Sequence, residues 1–404
     1  MIKFLQKLGP GLLFAGAAVG VSHLVQSTKA GAHFGFGLLW ALLLINLIKY
    51  PFFQFGPRYA AATGESLLEG YKKLGKNVLK AYALLTFATM FTIQTAVTIV
   101  TAGLASSLYG AHISLEVWTI IILSICFGLL LAGKYTLLDK MMKIIILILS
   151  VTTLFAVFTA FYNSGANSNW TQILPKTKTE IIFLIAFMGW MPAPLDVSIW
   201  HSLWAIQKKK ELKVFSPKTA LMDFNIGYFG TIILGISFLM LGGIVMYGMG
   251  KTFSNNGGEF SIQLIEMYTL NLGDWTYLVI GIAALTTMFS TTLTTLDASP
   301  RAMNKTMELI FEKPLKNGYT FWLILLIIGT IFIFFFFLSE MGTLVKIATI
   351  LSFLTAPFYA IMNYLLVCSK HMPKAWQPSK VMHTLSIIGI LFLIGFNIWY
   401  LSIL

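Results

Sequence analysis

A few side chains able to do chemistry stand where an apolar sequence gives them no ordinary reason to be. His23 follows Gly20 and Ser22 inside a glycine-rich apolar stretch. Lys49 lies well inside the next one, and Met191 and Asp196 fall in and just after the run Gly189-Trp-Met-Pro-Ala-Pro194. A charge at bilayer depth costs about 2.5–3.5 kcal/mol on translocon scales, so such residues are functional candidates. His23 could contact a substrate or carry a proton, because histidine's reference pKa of about 6.5 lies near neutral pH. The alternative is a packing histidine bonded to freed backbone. Asp196 could supply negative charge to a site, pair with a lysine, or serve as the first-turn acid of a restarted helix. Lys49 must pair, snorkel or face water. Its fixed charge could stand in for a coupling cation, or it could pair with Asp196 or Asp297. His23 and Met191 together would make a soft, neutral metal site, suited to Cu(I) or a late transition ion and poor for Mn²⁺ or Fe²⁺.

The elements that must position these residues are membrane spans. The 404-residue chain is 57% hydrophobic and 11% charged, which excludes an ordinary soluble domain. Eleven apolar stretches are expected at 9–30, 36–56, 78–108, 113–133, 141–163, 180–206, 219–249, 274–299, 319–338, 343–368 and 382–403. Lys and Arg crowd into every second loop: Lys72 to Lys80, Lys134 to Lys143, Lys208 to Lys218, Arg301 to Lys316 and Lys370 to Lys380. Cationic loops resist translocation, so the N-terminus is expected in the cytoplasm and the C-terminus outside, in a bacterial inner membrane. The net charge of +13 is spread over these loops, which points to membrane lipid and away from nucleic acid. Cys126 and Cys368 lie in apolar spans and read as small core residues. No cleavable signal is evident before the first span. The loops 163–180 and 250–274 read as caps or mobile lids, the latter rich in Gly and Asn. No nucleotide phosphate loop, H-E-x-x-H or G-x-S-x-G is present, so the chain reads as no enzyme and no ATP-driven pump, and it calls for no cofactor.

Spans one and six differ from the rest. The first contains Gly9-Pro-Gly11, Gly16, Gly20 and Gly31; the sixth carries Pro192 and Pro194 at its middle. Proline removes a backbone donor and crowds the preceding turn. Broken helix is tolerated at membrane depth only where protein or a cavity satisfies the freed groups. Two interrupted helices five spans apart are what an inverted repeat with a central site predicts, although two ordinary kinks would look similar.

Several stretches resemble the Nramp (natural resistance-associated macrophage protein) family of divalent-metal transporters. They are Gly9-Pro-Gly-Leu-Leu13, Phe34-Gly-Phe-Gly-Leu-Leu-Trp40, Gln54-Phe-Gly-Pro-Arg-Tyr-Ala-Ala-Ala-Thr-Gly64 and Met191-Pro192, with weaker echoes at Ser290–Thr295 and Ala356-Pro-Phe358. The resemblance implies an all-α polytopic protein with the LeuT-like fold: ten helices in two inverted repeats, about 9–163 and about 180–368, plus an eleventh at 382–403, all in one transmembrane domain. The family's metal-site chemistry does not carry over whole. Its Asp-Pro-Gly-Asn motif falls on Gly20-Val-Ser-His23, the histidine of its Met-Pro-His motif on Ala193, and the acidic pair of its third helix on Gly103 and Ser106.

The expected function is therefore a secondary transporter with alternating access, moving a small ion or solute, a metal with altered ligands among the options. The expected substrate-binding set is Gly20, Ser22, His23, Met188, Trp190, Met191, Ala193 and Asp196, with His23 and Met191 as metal-ligand candidates. Lys49, Asp297 and Arg58 are the coupling or charge-network candidates. Asp297 with Arg301, Arg58 with Glu65 and Glu69, and Asp139 with Lys140 read as inner-gate pairs. Three alternatives stay open: the same fold carrying a non-metal or monovalent substrate, a transport-dead sensor or interaction protein, and a channel. The last lacks any ring of pore-lining acids.

Overall fold

The computed structural model describes residues 9–110, 113–132, 135–163, 170–211, 216–248, 253–254, 256–336 and 341–403. Among these the secondary structure is helical throughout. Eight helical stretches are long and apolar enough to cross a membrane, the first of them Pro10–Phe34, and Leu115–Leu131 and Leu147–Tyr162 are shorter apolar helices. With the broken sixth span these give the eleven crossings expected from hydropathy.

The first crossing has three parts: α1 (Pro10–Ala18), a wide π-helical segment Val21–Ser27, and α2 (Thr28–Phe34). The break falls at Val19–Gly20, and by His23 the chain is already coiled again, slightly earlier than the Gly20–His23 stretch suggested. Helices α3 (Leu39–Thr63), α4 (Leu67–Leu74), α5 (Lys76–Tyr109), α6 (Leu115–Leu131) and α7 (Tyr135–Asn163) follow. The short α4 had not been expected; a capping box between Ser66 and Glu69 starts it. The sixth crossing is α8 (Lys178–Trp190), a non-helical Met191–Asp196 containing a cis Met191–Pro192 peptide, and α9 (Val197–Glu211).

Next come α10 (Pro217–Val245), α11 (Gly257–Leu272), α12 (Thr276–Phe311), α13 (Gly318–Phe336), α14 (Met341–Cys368) and α15 (Lys380–Ile403). Helix α11 corrects the reading of 250–274 as a plain cap. Asn256, one of the residues behind that reading, accepts from the N–H groups of Gly258 and Glu259 and so caps a real helix.

Helix α10 is the rail that holds the first crossing. A Cβ placed on Gly11 would sit 2.0 Å from the carbonyl oxygen of Asp223, and one on Gly31 2.0 Å from that of Leu239, so backbones touch at both ends. Glycine faces, which carry no side chain, are what let two helices approach this closely in an apolar medium. The Asp223 side chain then caps α1, accepting from the N–H of Gly9 at 3.1 Å and of Gly11 at 2.7 Å. Helices α3, α8, α9, α10 and α14 share one apolar core with α1, in which Phe14, Phe53, Tyr59, Phe187 and Tyr228 are buried.

Candidate functional site

The sixth-span break is built around Lys49. In an unbroken helix, Met188 O and Trp190 O would accept from the N–H groups of residues 192 and 194, but both are prolines and have none. Lys49, projecting from α3 and wholly buried, replaces the donor missing at Met188 O and reaches three further carbonyls of the break. Its Nζ lies 2.8 Å from Met188 O, 2.7 Å from Gly189 O, 3.1 Å from Met191 O and 3.3 Å from Ala193 O. The positive end of the side chain therefore sits at the C-terminus of α8, where the helix dipole is negative. Neither acid expected as its partner makes a hydrogen bond with it. Asp196 is within electrostatic reach of Lys49. Asp297 instead receives Arg301 Nη2 at 2.6 Å and Tyr319 Oη at 2.7 Å, as an ion pair at the lysine-rich end.

Asp196 opens α9, 5% exposed, and its Oδ1 has no hydrogen-bond partner. The hydroxyls of Tyr82 and Tyr359, whose rings pack edge to face at 6.1 Å, are likewise unpartnered and lie within electrostatic reach of Asp196. Trp190 turns toward α14 and donates its Nε1–H to Ser352 Oγ at 2.7 Å. The Met191 thioether leans on α10, where a Cβ on Gly235 would meet it at 3.3 Å.

At the first break, His23 is wholly buried and both ring nitrogens are engaged. Nε2 lies 2.9 Å from Thr231 O on α10; Nδ1 lies 2.6 Å from Ser22 Oγ and 3.0 Å from Ala18 O. A neutral ring donates from Nε2 to Thr231 O and accepts the Ser22 hydroxyl proton at Nδ1. A protonated ring donates from both sides, and Ser22 turns to donate to Ala18 O, 2.5 Å away. The hydrogen bonds can be kept in either state, which suits proton handling and leaves neither nitrogen free for a metal. Among the described residues no group of three or more His, Cys, Asp or Glu side chains could hold a metal ion. Gly20 faces α12: a Cβ there would stand 2.8 Å from Thr291 Oγ1.

A polar band that sequence reasoning missed runs between α5 and α12. Gln94 is buried and accepts from Thr295 Oγ1 at 2.7 Å, while the hydroxyls of Thr101 and Thr292 meet at 2.7 Å. His201 on α9, also unremarked in the sequence, is buried with both nitrogens unpartnered and stacks 5.6 Å from Phe14. Asp223 and His201 carried the same signal as His23 and Lys49, an ionisable residue within an apolar span.

At the lysine-rich end a cavity of about 660 Å³ lies between the start of α1 and the ends of α9 and α12, lined by Pro10, Trp204, Lys208, Asp297, Arg301 and Glu308 among others. Glu69 and Lys305, which also line it, pair at 3.1 Å. Outside the lining, Glu65 pairs with Lys73, and Glu312 with Lys72 and Lys76, both at 3.2 Å. Burial raises the Glu69 carboxyl, but bonds from the Ser66 N–H and Lys305, with the lysine's charge, outweigh it and hold the group below the ordinary glutamate range. The two lysines beside Glu312 hold its carboxyl low as well. Arg58 joins none of these pairs, and its Nε is buried without a partner. The side chains of Asp139 and Lys140 lie outside the described residues.

Residues 11–402 match the family described as natural resistance-associated macrophage protein-like. An uncharacterised protein of Pasteurella multocida is 36% identical over 405 residues, spanning 98% of this chain and 92% of its own. Among solved structures, a mutant manganese transporter of Eremococcus coleocola is similar with a TM-score of 0.72 and 15% identity, over 100% of this chain and 95% of that one. MhsT in complex with L-phenylalanine gives 0.67 and 15%, over 98% and 97%. A nucleobase-cation-symport-1 family transporter gives 0.60 and 16%, over 98% and 92%. The shared architecture is the LeuT-like one, two inverted repeats of five helices and an eleventh.

Proposed function

The chain belongs to the Nramp family, and from that premise we propose that it is a secondary transporter whose cargo, a small solute or ion other than a hard divalent metal, binds where the two broken helices meet. The bundle formed by the broken crossings rocks against its scaffold to open the site to each side in turn. The lysine-rich loops face the cytoplasm, so the charged cavity beside α1, α9 and α12 is the inner vestibule.

One observation carries the choice of cargo. The break of α8 and α9 already holds a cation, the Lys49 ammonium, on four backbone carbonyls. The first break offers Gly20, Ser22 and His23 and no carboxylate. Mg²⁺, Ca²⁺ and Mn²⁺ depend on charged oxygen ligands. A built-in positive charge nearby opposes a second, divalent one, and favours a neutral or anionic group on the cargo. The solved manganese transporter supports the competing reading, a metal cargo on altered ligands, because it shares the fold and the family.

Thermal unfolding of the purified protein across a panel of metals, organic anions and amino acids separates the two, because a ligand of the folded state stabilises it according to its concentration over Kd. Stabilisation by an organic solute, followed by its uptake into proteoliposomes, supports the proposal. Stabilisation by Mn²⁺ at micromolar concentration defeats it and restores the metal reading. A folded protein that responds to nothing and transports nothing leaves the transport-dead alternative.

A further inference from the structure

Helices α3 and α10 run antiparallel. Tyr228 Oη donates to Asn46 O at 2.6 Å and Tyr50 Oη to Asn225 Oδ1 at 2.8 Å, so residue numbers rise on α3 as they fall on α10. Arg58 lies eight residues on from Tyr50, and Lys218 seven back from Asn225, steps of about 12 and about 10 Å at the helical rise of 1.5 Å. The two cations therefore stand at one level, at the lysine-rich end of the seam. Among the described residues no carboxylate forms an ion pair with either. Lys218 is exposed, whereas Arg58 is part-buried with Nε unpartnered and lies within electrostatic reach of Tyr50. Gln54, one turn from each of Tyr50 and Arg58, donates to Tyr50 Oη at 2.8 Å; its Oε1 is buried and unpartnered.

Beside the seam runs a groove of about 610 Å³ lined by Lys218, Leu221, Met222, Asn225, Ile226 and Phe229. These residues recur at helical spacing and share one face of α10, with the lysine at its end. Asn225 is taken up by Tyr50, so the rest of the lining is apolar. From Lys218 to Phe229 the helix rises about 16 Å, close to half of a hydrocarbon core about 30 Å thick, which is one leaflet. An apolar face alone would be the ordinary boundary with lipid. A concave one, a leaflet long and carrying two unanswered cations at its headgroup end, has the shape and charge of a particular occupant.

We propose that an anionic phospholipid of the phosphatidylglycerol kind, from the leaflet on the lysine-rich side, binds at this seam. Its phosphate sits between Lys218 and Arg58, and an acyl chain lies on the face from Leu221 to Phe229. A guanidinium offers phosphate a planar pair of donors and an ammonium offers it a point charge. Basic pockets between membrane helices hold anionic headgroups in this way. A zwitterionic headgroup brings its own ammonium, which two protein cations repel, so net charge makes the selection. The first crossing leans on both helices: the Phe14 ring lies 5.2 Å from that of Phe53 on α3 and 5.9 Å from that of Tyr228 on α10. A lipid bridging α3 and α10 therefore braces the pair that holds α1. The lipid site stands or falls independently of any cargo, and its test needs no transport.

The test is thermal unfolding of the purified, delipidated full chain in detergent, titrated with dioleoylphosphatidylglycerol, dioleoylphosphatidylcholine or inorganic phosphate at constant ionic strength. We expect phosphatidylglycerol to raise Tm by about 2–5 °C and to saturate, with the other two inert. Lys218→Glu should abolish the rise and Arg58→Gln should at least halve it. Lys380→Glu, which removes an exposed lysine of α15 at the same end, should leave it whole. Equal responses to the two lipids would overturn the site, as would a full response in Lys218→Glu or an equal loss in Lys380→Glu. A rise with inorganic phosphate alone would mean an ion site without a lipid, and overturns the proposal too. Should Arg58→Gln not fold, Lys218→Glu decides, because its side chain is exposed, with native mass spectrometry counting retained phosphatidylglycerol. One lipid fewer on the variant than on the parent supports the site; equal numbers overturn it.

Discussion

The Nζ of Lys49 lies 2.8 Å from the carbonyl oxygen of Met188, the oxygen that the N–H of residue 192 would take if that residue were not proline. A side chain from one crossing thus completes the backbone of another. The arrangement explains how a charge can be wholly buried in an apolar core: its protons are met by carbonyls that the break would otherwise strand.

Lys49→Met should therefore destabilise the protein by more than the loss of one hydrogen bond. It keeps the volume and strands up to three or four carbonyls, each worth about 1–3 kcal/mol when buried and unmet. The drop in Tm should be large, and uptake should be lost even under conditions where the variant folds. Lys49→Arg should not rescue, because a planar fork cannot converge on one ring of carbonyls as an ammonium does. Thermal unfolding and proteoliposome uptake check both; a Met variant as stable as the parent would show that water or rearranged backbone serves equally well.

Divalent metals should bind weakly or not at all. By the ungapped count from the flanking motifs, the Asp and Asn positions of the family motif fall on Gly20 and His23, and both nitrogens of His23 already face protein oxygens. Calorimetry with Mn²⁺ and Mg²⁺ on the purified protein should give no micromolar heat of binding, and a Met191→Ala variant should leave that result unchanged. Micromolar Mn²⁺ affinity would contradict it.

Gly20 is held small by Thr291. Gly20→Ala would place a Cβ 2.8 Å from Thr291 Oγ1, closer than such atoms pack, and should cost about 1–3 kcal/mol. Adding Thr291→Ala removes the obstructing atoms and should recover part of the loss in a double-mutant cycle. Purely additive losses in thermal unfolding would mean that the glycine is needed for its backbone conformation instead.

Much of this was legible in the sequence because it is local. Pro192 and Pro194 remove two backbone donors within one turn, where the single Pro51, Pro57, Pro300 and Pro357 stay inside continuous helices, and the glycines up to Gly20 loosen the first crossing, so both interruptions could be placed to within a few residues. The burial of His23, Lys49 and Asp196 followed from their apolar neighbours. Their partners did not. Nothing near Lys49 says that its ammonium enters the break of α8 some 140 residues on, and nothing near Asp223 says that it caps α1; both are facts of packing between distant crossings. The Gly/Asn cluster at 254–258 concealed α11, because the residues that make a good cap are also those of a loop.

The ion pairs at the lysine-rich end should give the protein an acid limb. In the folded state Glu69 is held below the ordinary glutamate range by Ser66 and Lys305. A depressed carboxyl contributes stability that is present above the unfolded-state value, about 4.3, and is lost as pH falls through the folded one. Stability should accordingly fall as pH drops below about 5 toward 3, with Glu69 one contributor and the Glu312 pair with Lys72 and Lys76 another. Glu69→Gln should lower stability at pH 7 by about 1 kcal/mol or less, since the pair is part-exposed and screened by salt. The difference between parent and variant should shrink toward zero on acidification, when the native carboxyl is protonated too, and should also narrow in high salt. Unfolding curves at pH 7, 5 and 4 test this: a difference near zero throughout would mean that Glu69 acts through its capping hydrogen bonds to Ser66, which glutamine can also make, and a non-zero difference that does not change with pH would mean that charge is not the cause.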